Sequence, residues 1–401
     1  MAKPKLRFPE FTDEWEEKKL KEIAVFMGGG TPSTKIEKFW NGSIPWVSSS
    51  DILEGNIFTI NKTRFITREA VEQSATKLIP QNSILLVSRV GVGKLAVSYE
   101  ELCTSQDFTN LIDIKGNIIY IAYTLCHKMQ KELLNTQGTS IKGITSKEIK
   151  EYKIMIPSTV EQQKIADFLS FVDDIIQVQE EKICALEEQK KGIMQKLFNC
   201  EVRFKAEDGR EYPEWEETTI GESGYFYYGK SAPKWSVTKD ATTPCIRYGE
   251  LYTTHHIMVK EIKSYTNIER SKLKFSKGGE VLVPRVGEEP LDFCKCSYLP
   301  FKDVAIGEMI SVYNTKNNPL FISYFFNSTM KYEFAKRVEG GNVSNLYFVY
   351  LENIPINIPC LEEQQKIADC LLAYDEAIQI KKDKLEVWKE IKKGLLQQML
   401  V

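Results

Sequence analysis

The stretch Glu161–Asp167 reads EQQKIAD, and the same seven residues recur without change at Glu363–Asp369. An Ile-x-Ile-Pro sequence precedes each copy, at Ile154–Pro157 and at Ile356–Pro359, so the similarity extends beyond the seven identities. Seven consecutive identities at one offset rarely arise by chance. They indicate an internal repeat, with an offset of 202 residues that is about half of the 401-residue chain.

After each motif, apolar residues recur at spacings of three and four, which predicts a long amphipathic helix with a heptad seam. The first seam comprises Ile165, Leu169, Val172, Ile176, Ile183, Leu186, Ile193 and Leu197. The second comprises Ile367, Leu371, Tyr374, Ile378, Leu385, Trp388, Leu395 and Met399. Polar residues interrupt both seams at the same two levels, namely Gln179 and Lys190 in the first helix and Lys381 and Lys392 in the second.

Each predicted helix has roughly 38 residues and is about 55 Å long at 1.5 Å per residue. A single apolar stripe of this length needs a partner, and the other copy is the nearest candidate. We therefore predict that the two helices pair with each other. The alternative is that each helix packs only on its own globular domain.

The segments that precede the helices repeat more faintly and are predicted to be mixed α+β domains. Runs rich in Val, Ile, Leu and Tyr predict strands at Ser83–Val87, Asn117–Ile121, Glu280–Val283 and Ser311–Tyr313. Helices are predicted at Ile121–Leu134 and Leu320–Arg337. The predicted order is a first globular domain at 1–156, a first spacer helix at 157–200, a second globular domain at 201–358 and a second spacer helix at 359–401.

Composition fits a reduced cytoplasmic protein. Hydrophobic residues make up 42% of the chain, and no stretch approaches the roughly 20 apolar residues of a membrane span. No apolar run follows the first residues, so no signal peptide is expected. Nine cysteines without regular spacing favour free thiols. The formal net charge of −2 permits a local basic DNA-binding face without demonstrating one.

The pattern as a whole resembles the specificity (S) subunit of type I restriction-modification systems. The resemblance rests on the two helix starts at Ile156–Asp167 and Ile358–Asp369, on the Trp-Glu-Glu sequences at Trp15 and Trp215, on Gly29–Ser33, on Ile44–Val47 with Asp51, and on the Arg-Val-Gly turns at Arg89 and Arg285. It covers essentially the whole chain.

The resemblance implies an α+β fold with a pseudo-two-fold internal repeat. Two target-recognition domains are separated by two long helices, which pair as an antiparallel coiled coil. Each domain would read one half of a bipartite site in double-stranded DNA, and the helices would fix the spacing. The subunit would join two modification (methyltransferase) subunits and also restriction (translocase/nuclease) subunits. S-adenosylmethionine, ATP and Mg²⁺ are expected on those partners, with no cofactor on this chain.

Candidate DNA-binding residues are basic, amide or hydroxyl side chains on glycine-rich loops beside strand ends, because such groups contact phosphates and base edges. In the first domain they are Thr31, Ser33, Lys35, Ser48, Ser49, Ser50, Arg89, Lys94, Thr139, Ser140 and Lys142. In the second they are Lys230, Ser231, Lys234, Arg247, Tyr248, Arg285, Asn342, Ser344 and Asn345.

Arg89 and Arg285 stand out among these candidates. Each precedes Val-Gly after a predicted strand, so we expect them to contact DNA at equivalent positions. The alternative is a buried arginine paired with a carboxylate, and for any single loop candidate the alternative is a solvated loop residue.

Four residues of the repeated motif are predicted to act elsewhere. Glu161, Gln162, Glu363 and Gln364 lie in the first turn of each helix, where a carboxylate suits the helix dipole. They serve either helix capping and packing or, as the family resemblance implies, the docking of modification subunits.

Catalytic signatures are weak. Gly91–Leu95 ends like a phosphate-binding loop but lacks the required first glycine and the Ser/Thr after the lysine. The glycines at 28–30 do not have the Gly-x-Gly-x-x-Gly spacing of a dinucleotide-binding loop. Asn318–Phe321 is near the Asn-Pro-Pro-Phe motif of adenine methyltransferases, but its third residue differs, and a plain turn is expected. Cys294 and Cys296 match no common zinc spacing. A stand-alone DNA enzyme and a coiled-coil scaffold without DNA function remain the alternatives.

Overall fold

The computed structural model describes residues 4–135, 143–341 and 343–401. The chain forms two compact units. Unit 1 comprises Met1–Glu181 and Lys382–Val401, and unit 2 comprises Lys182–Lys381. Each unit therefore contains one globular domain together with a part of each long helix.

Among its described residues, unit 1 contains ten strands and four short or medium helices before the first long helix. The strands are β1 (Glu16–Lys19), β2 (Val25–Gly28), β3 (Ile44–Val47), β4 (Phe65–Ile66), β5 (Leu78–Ile79), β6 (Ser83–Val87), β7 (Leu95–Ser98), β8 (Leu102–Thr104), β9 (Phe108–Ile112) and β10 (Lys153–Ile156). The helices are α1 (Leu20–Ile23), α2 (Arg68–Gln73), α3 (Ile118–Asn135), α4 (Ser146–Lys150) and the long α5 (Thr159–Phe198), with 3₁₀ turns at Glu37–Trp40 and Ser49–Asp51.

The strands of unit 1 form two four-stranded sheets and one two-stranded ribbon. One sheet is antiparallel in the order β2-β9-β6-β7, and the other has the order β4-β3-β8-β5 with a parallel β3–β8 pair. The ribbon pairs β1 with β10 at the domain base. All five residues of β6 are buried, which explains the apolar run that follows Ser83 in this strand.

Unit 2 contains thirteen strands among the residues described. They are β11 (Glu216–Thr219), β12 (Gly224–Tyr228), β13 (Thr243–Ile246), β14 (Ser264–Thr266), β15 (Phe275–Lys277), β16 (Glu280–Pro284), β17 (Val286–Gly287), β18 (Ser297–Leu299), β19 (Lys302–Ile306), β20 (Ile310–Thr315), β21 (Glu339–Gly340), β22 (Ser344–Asn345) and β23 (Pro355–Ile358). The helices are α6 (Tyr248–Thr253), α7 (Pro319–Ser328), α8 (Lys331–Ala335) and the long α9 (Leu361–Met399), with 3₁₀ turns at Lys234–Ser236, Arg270–Lys272, Pro290–Cys294 and Phe348–Tyr350.

Unit 2 repeats the topology of unit 1 on a divergent sequence. Its sheets have the orders β12-β20-β16-β18 and β14-β13-β19-β15, again with one parallel pair, β13–β19, and the ribbon is β11–β23. A further small sheet, β17-β22-β21, has no counterpart among the described strands of unit 1. The predicted α+β class and internal repeat are therefore confirmed.

The strands predicted at Ser83–Val87, Glu280–Val283 and Ser311–Tyr313 are confirmed, whereas the strand predicted at Asn117–Ile121 is wrong. This segment begins α3, and the Asn117 Oδ1 accepts a hydrogen bond from the backbone N–H of Tyr120 (2.9 Å). A short apolar run cannot by itself distinguish a strand from a buried helix, and the Asn cap decides for the helix here.

The turn predicted at Asn318–Phe321 is also wrong, because Asn318 caps α7. Its Oδ1 accepts hydrogen bonds from the N–H groups of Leu320 and Phe321 (3.0 Å each), and Pro319 occupies the first helical position. The resemblance to a methyltransferase motif thus comes from a helix cap.

The two long helices have 40 and 39 residues, about 60 Å each, as the heptad pattern predicted. Within unit 1, Lys392 Nζ lies 2.5 Å from Asp173 Oδ1 and Lys389 Nζ lies 3.1 Å from Glu180 Oε1. Residue numbers rise along one segment as they fall along the other, so the segments run antiparallel. Within unit 2, the corresponding bond joins Lys190 Nζ to Asp375 Oδ1 at 2.6 Å.

Contacts with the globular domains explain why Lys190 and Lys392 interrupt the apolar seams of the long helices. The Tyr123 hydroxyl of α3 donates to Asp173 (2.6 Å), and the Lys392 ammonium lies 5.8 Å from the Tyr123 ring centroid. Burial, followed by the adjacent carboxylate, raises the pKa of Tyr123 and keeps it a neutral donor. We call Tyr123, Asp173 and Lys392 the Tyr–Asp–Lys cluster of unit 1.

Unit 2 has the equivalent Tyr–Asp–Lys cluster. The Tyr324 hydroxyl of α7 donates to Asp375 (2.5 Å), and the Lys190 ammonium lies 5.2 Å from the Tyr324 ring centroid. In both units a globular-domain tyrosine, an aspartate of the following helix and a lysine of the other helix therefore meet. The cluster fastens the domain to both helices.

Substitution of Lys392 by Met should lower the free energy of unfolding of unit 1 by about 3 kcal/mol, because it leaves the carboxylate of Asp173 without its cation. The side chains of Lys392 and Asp173 are only 11% and 12% exposed, against 18% and 31% for Lys190 and Asp375. Lys190→Met should therefore cost less. Hydrogen exchange of α3 and α7 measures the two losses separately.

The neighbouring Lys393→Met is the matched control, because its side chain is 63% exposed and its ion pair in the described part of the chain is with Glu390 of its own helix. It should change stability by less than about 0.5 kcal/mol. Adding Asp173→Asn to Lys392→Met should recover part of the loss. Equal effects of Lys392→Met and Lys393→Met would contradict a structural role for the cluster.

Candidate nucleic-acid interface

In unit 1 the candidate loops meet at one end of the two four-stranded sheets, around the turn that joins β8 to β9. The Ser105 N–H donates to Val47 O at the end of β3, and the Ser88 N–H donates to Asp107 O, each at 2.8 Å. The Gly30 N–H donates to Thr104 O, also at 2.8 Å. The loops after β2, β3 and β6 are thereby gathered on one face.

The glycines of this face are required by close backbone approach. A Cβ added to Gly29 would lie 2.1 Å from Ser105 O, and one added to Gly30 would lie 2.4 Å from Ala75 O. Any side chain at either position would collide with backbone. The glycines at 29 and 30 therefore serve packing of the loop against the sheet.

Ser48 belongs to a hydrogen-bonded group at the end of β3. Its N–H and its hydroxyl donate to Asp51 Oδ2 at 2.8 and 2.9 Å, and Arg64 Nη2 donates to Ser48 Oγ (2.6 Å) and to Asp51 Oδ2 (2.5 Å). The guanidinium stacks over Trp46 with 4.6 Å to the ring centroid, and the Arg64 side chain is 40% exposed. Arg64 is thus a fixed cation on this face.

Arg64 was not among the predicted DNA-binding residues, because only the pairing of β3 with β4 brings it beside Ser48. The Trp46 N–H donates to Arg64 O across this pair. No spacing rule in the sequence connects residues 48 and 64. Besides Ser48 itself, the sequence pointed to this group through Asp51, which is one of the residues on which the family resemblance rests.

Arg89 and Lys94 lie on the turn after β6 and line an open cleft of about 1110 Å³ in unit 1. Arg89 is exposed, and no carboxylate pairs with it in the parts of the chain that the structure describes. Gly143 lies close enough that an added Cβ would be 3.2 Å from Arg89 Cα, and Gln106 lines the same cleft. The cleft therefore combines two cations with an amide.

The other candidates of the first domain are placed less centrally. The hydroxyl of Thr31 is hydrogen-bonded to Gln106 Oε1, and Ser50 Oγ lies 2.8 Å from Ser48 Oγ. Ser33 and Lys35 are exposed, and Ser49 is half-buried. Four candidates lie outside the described residues, namely Thr139, Ser140 and Lys142 of the first domain and Asn342 of the second.

Unit 2 gathers its candidate loops in the same way. The Gly307 N–H donates to Ile246 O (2.9 Å) and the Lys230 N–H donates to Ile306 O (2.8 Å), which are the counterparts of the Ser105 and Gly30 bonds. A Cβ on Gly229 would lie 2.1 Å from Gly307 O, as at Gly29. Both units therefore build the face on one backbone frame.

On that backbone frame, serine and arginine occupy opposite positions in the two units. The strand registers place Arg247 and Ser264 of unit 2 where unit 1 has Ser48 and Arg64. The Arg247 N–H donates to Glu250 Oε2 (2.7 Å), and the Ser264 hydroxyl donates to Glu250 Oε1 (2.7 Å). One backbone arrangement thus presents an arginine at a different position in each unit, just before β4 in unit 1 and just after β13 in unit 2.

The predicted equivalence of Arg89 and Arg285 is wrong by one residue. Ile84 pairs with Leu111 and Val281 pairs with Tyr313, so the sheet register aligns Arg285 with Ser88. A shift of one residue along a strand directs side chains to opposite faces. The two arginines accordingly have different surroundings.

Arg285 is half-buried between two tyrosines rather than paired with a carboxylate. Its guanidinium lies 4.6 Å from the ring centroid of Tyr228 and 5.5 Å from that of Tyr347. Its buried Nε has no hydrogen-bond partner within the described chain. Burial raises the pKa of the Tyr228 hydroxyl, and the Arg285 charge acts against that rise.

The remaining unit 2 candidates differ in exposure. Lys230, Lys234 and Tyr248 are exposed, and Ser231 and Asn345 are half-buried. Ser344 is only 4% exposed and its hydroxyl donates to Gly341 O, so its predicted role as a direct DNA contact is not supported.

The four motif residues predicted to dock partners are buried. Glu161, Gln162, Glu363 and Gln364 are 3% exposed or less. Arg7 forms a two-bond ion pair with Glu161 (2.7 and 2.8 Å), and Arg203 forms one with Glu363 (3.2 and 2.8 Å).

The glutamines bind backbone in both units. Gln162 Nε2 donates to Pro157 O and its Oε1 accepts from the Asn117 N–H, and Gln364 makes the same two bonds with Pro359 and Asn318. This geometry favours the packing interpretation of the motif over docking by these four side chains.

The residues that the structure describes offer neither a metal site nor a membrane-spanning helix. These residues include no cluster of three or more His, Cys, Asp or Glu side chains arranged to hold a metal ion. Of the helices described, none combines the length and the apolar character that a membrane crossing needs.

Arg89→Ala should weaken DNA binding about 5-fold or more and lower the salt dependence by about one released counterion, with unchanged unit 1 stability. Arg285→Ala should also destabilise unit 2 by about 1 kcal/mol, because it removes the stacking between Tyr228 and Tyr347. Fluorescence anisotropy at several salt concentrations and thermal unfolding measure the two effects.

Lys115→Ala is the matched control, since Lys115 is an exposed lysine beyond the opposite end of β9. It should leave both affinity and stability unchanged. A folded Arg89→Ala protein that binds DNA with wild-type affinity and salt dependence would remove Arg89 from the interface.

Comparison with known proteins gives a consistent result. The sequence profile described as the type I restriction modification DNA specificity domain matches twice, at residues 12–188 and 212–390. The specificity subunit of the type I restriction enzyme MjaIX from Methanocaldococcus jannaschii is 28% identical over 96% of this chain and 93% of its own length. That of EcoR124I/EcoR124II from Escherichia coli is 35% identical over 42% of this chain and 43% of its own.

A solved structure has the same fold. The type I restriction-modification S subunit from M. genitalium aligns with a TM-score of 0.60 at 14% identity, covering 100% of this chain and 99% of its own. At this identity the likeness concerns the fold.

Proposed function

The chain belongs to the family of type I restriction-modification DNA specificity subunits, and on this premise we propose that each unit reads one half of a bipartite DNA site. Specificity subunits are recognition components without catalysis of their own, so the chain is not the enzyme of its complex. The family resemblance inferred from the repeated helix motif is thereby confirmed.

One observation carries the proposal, namely that two faces with the same backbone frame present different side chains. The Ser105 and Gly307 turns bind their neighbouring strands alike, yet Ser48 and Arg64 are exchanged for Arg247 and Ser264. Arginine and serine read base edges differently, since arginine pairs with guanine in two bonds and serine is tolerant. Two such faces suit two unlike half-sites.

The long helices are proposed to set the spacing between the half-sites. DNA rises about 3.4 Å per base pair, so a helix of about 60 Å matches on the order of 18 base pairs. Two major-groove contacts one turn apart need about 34–36 Å, which is within that length. The Tyr–Asp–Lys clusters support this role because they fix each domain to helix segments rather than to a flexible linker.

The partners are proposed from the family. Two modification (methyltransferase) subunits would bind the repeated surface, one for each repeat, and restriction (translocase/nuclease) subunits would join them. S-adenosylmethionine, ATP and Mg²⁺ would be held by those partners. Because the four motif side chains are buried, docking would use exposed neighbours such as Gln163 and Gln365, which bind Asp167 and Asp369 on the helix surface. All nine cysteines are free, which suits a cytoplasmic location.

The first test is to co-express the chain with its modification subunit and map adenine methylation by single-molecule sequencing. We expect one split motif, methylated only when this chain is intact. Replacing residues 1–156 by those of a relative should change one half of the motif and leave the other half and the spacer unchanged. Methylation of a continuous motif, or a change in both halves, would contradict the proposal.

A second test changes the spacing. Seven residues inserted after Glu181 in α5 and seven after Asp383 in α9 preserve each heptad phase and lengthen each helix by about 10 Å. The insertion points lie between Asp173 and Lys190 and between Asp375 and Lys392, so both Tyr–Asp–Lys clusters stay intact. The preferred spacer should grow by about three base pairs.

The control for the heptad insertions is the same pair of insertions with four residues each, which breaks the heptad phase and should abolish methylation rather than lengthen the spacer. An unchanged spacer in a stable heptad variant would show that the helices do not set the distance.

A further inference from the structure

The connection between β12 and β13 contains a strained turn. Ser231 and Ala232 are consecutive residues with φ of +64° and +59°, the left-handed region that residues with a Cβ rarely occupy. Strain of this kind persists only where the surroundings impose it, and it is concentrated at functional sites.

The surroundings do impose this turn. Ala232 is 4% exposed and packs in an apolar cluster with Cys245, Leu273 and Ala305. At the other end Ser236 is fully buried, and its hydroxyl donates to Pro233 O (2.7 Å) and accepts from Thr266 Oγ1 (2.8 Å). The Ser231–Ser236 turn is therefore held at both ends.

Between these anchors the turn displays Trp235 to solvent. Trp235 is 72% exposed, the highest value for any large hydrophobic side chain in the described chain. Its indole N–H has no hydrogen-bond partner among the residues the structure describes. A large aromatic ring that a strained and anchored turn holds mostly in water contributes little to the stability of the unit itself.

The charges around Trp235 are predominantly basic, although the exposed Glu308 lies beside the turn, where its N–H donates to Ser231 O (3.2 Å). Lys230 and Lys234 are exposed on the same turn, and no carboxylate pairs with either of them or with Arg247 in the described part of the chain. A Cβ on Gly307 would lie 3.7 Å from Ser231 O and 3.5 Å from Arg247 Cα. The turn thus belongs to the proposed DNA-reading face of unit 2.

In unit 1 the tryptophan of the corresponding connection is packed and hydrogen-bonded. Trp40, in the corresponding connection between β2 and β3, packs edge-on against Trp46 with 5.1 Å between ring centroids, and its N–H donates to Ser33 O (3.2 Å). No exposed aromatic wedge results there. The feature is therefore specific to unit 2.

We propose that Trp235 is a base-stacking residue of the unit 2 face, which inserts its indole against the bases and partly unstacks one base step of the unit 2 half-site. Apolar side chains inserted between base steps distort DNA in this way, and flanking lysines hold the phosphates. The inference rests on the proposed function. It predicts that the two half-sites are distorted unequally.

The test places 2-aminopurine, whose fluorescence rises on unstacking, in one half-site at a time of the mapped motif, at a base other than the methylated adenine. The methylated adenine itself stays unlabelled because methyltransferases flip their target base out of the stack. The full chain, co-purified with its modification subunit, should raise fluorescence in the unit 2 half-site and not in the unit 1 half-site. Trp235→Ala should abolish the rise and weaken binding between about 5-fold and 150-fold, the range for one base–aromatic stack. Trp235→Phe should keep most of both signals.

Two further variants separate stacking from other causes. Tyr332→Ala removes an aromatic ring that is 67% exposed on α8 of the same unit, and it should change neither signal. Lys234→Ala should lower the salt dependence by about one counterion while the fluorescence rise remains.

The outcomes distinguish the inference from the proposed function. If the wild-type complex binds its split motif and Trp235→Ala binds with the same affinity and the same fluorescence rise, the inference is wrong and the function remains. If Trp235→Ala binds DNA as wild type but no longer co-purifies with the modification subunit, Trp235 contacts a protein and the inference is again wrong. Absence of any motif-specific binding by wild type would overturn both.

Discussion

The structure depends on the bond between one lysine and one aspartate of opposite helices, made once in each unit. Lys392 with Asp173 and Lys190 with Asp375 place a cation from one helix on a carboxylate from the other, and Tyr123 or Tyr324 adds a hydrogen bond from the globular domain. Because a partly buried charge without its partner is costly, this contact is satisfied in only one register of the helices. It explains why both apolar seams are interrupted at the level of Lys190 and Lys392.

The repeated EQQKIAD motif completes the same frame from the domain side. Arg7 and Arg203, which lie near the starts of their domains, bind Glu161 and Glu363, and the motif glutamines bind the starts of α3 and α7. Every one of these polar groups is used inside its unit, so a substitution would leave a buried group unsatisfied. The identity of the two motifs thus follows from two identical packing problems.

The sequence predicted those parts of the structure that have a period or a repeat. The seams gave both long helices, and the fully buried run at Ser83–Val87 gave its strand without error. The start of α3 was misassigned because Asn117 acts as a cap only through one hydrogen bond. The Arg89–Arg285 equivalence failed because sequence matching aligned identical letters, whereas strand pairing aligned Arg285 with Ser88.

The candidate site was predicted as a set of loops but not as a set of contacts. Gly29, Ser48 and Arg89 do converge, since the strands that precede them end at the same end of the two four-stranded sheets. Arg64 was missed because it reaches Ser48 across a strand pair. Trp235 was missed because the exposure of a hydrophobic side chain depends on tertiary structure and cannot be read from the sequence. Contacts between strands far apart in sequence carry no local signal that spacing could reveal.

The residues that hold each unit together are distinct from the exposed residues proposed to read DNA. This separation determines which substitutions such a protein can accept. Substitutions at exposed positions such as Arg89 or Trp235 touch few neighbours and alter stability little, whereas substitutions at Asp173 or Glu363 remove buried partners. A chain built in this way can accept new reading residues while its helices and domain anchors stay fixed. Two units that share topology and motif but differ at Ser48/Arg247 and Arg64/Ser264 are what that freedom would produce.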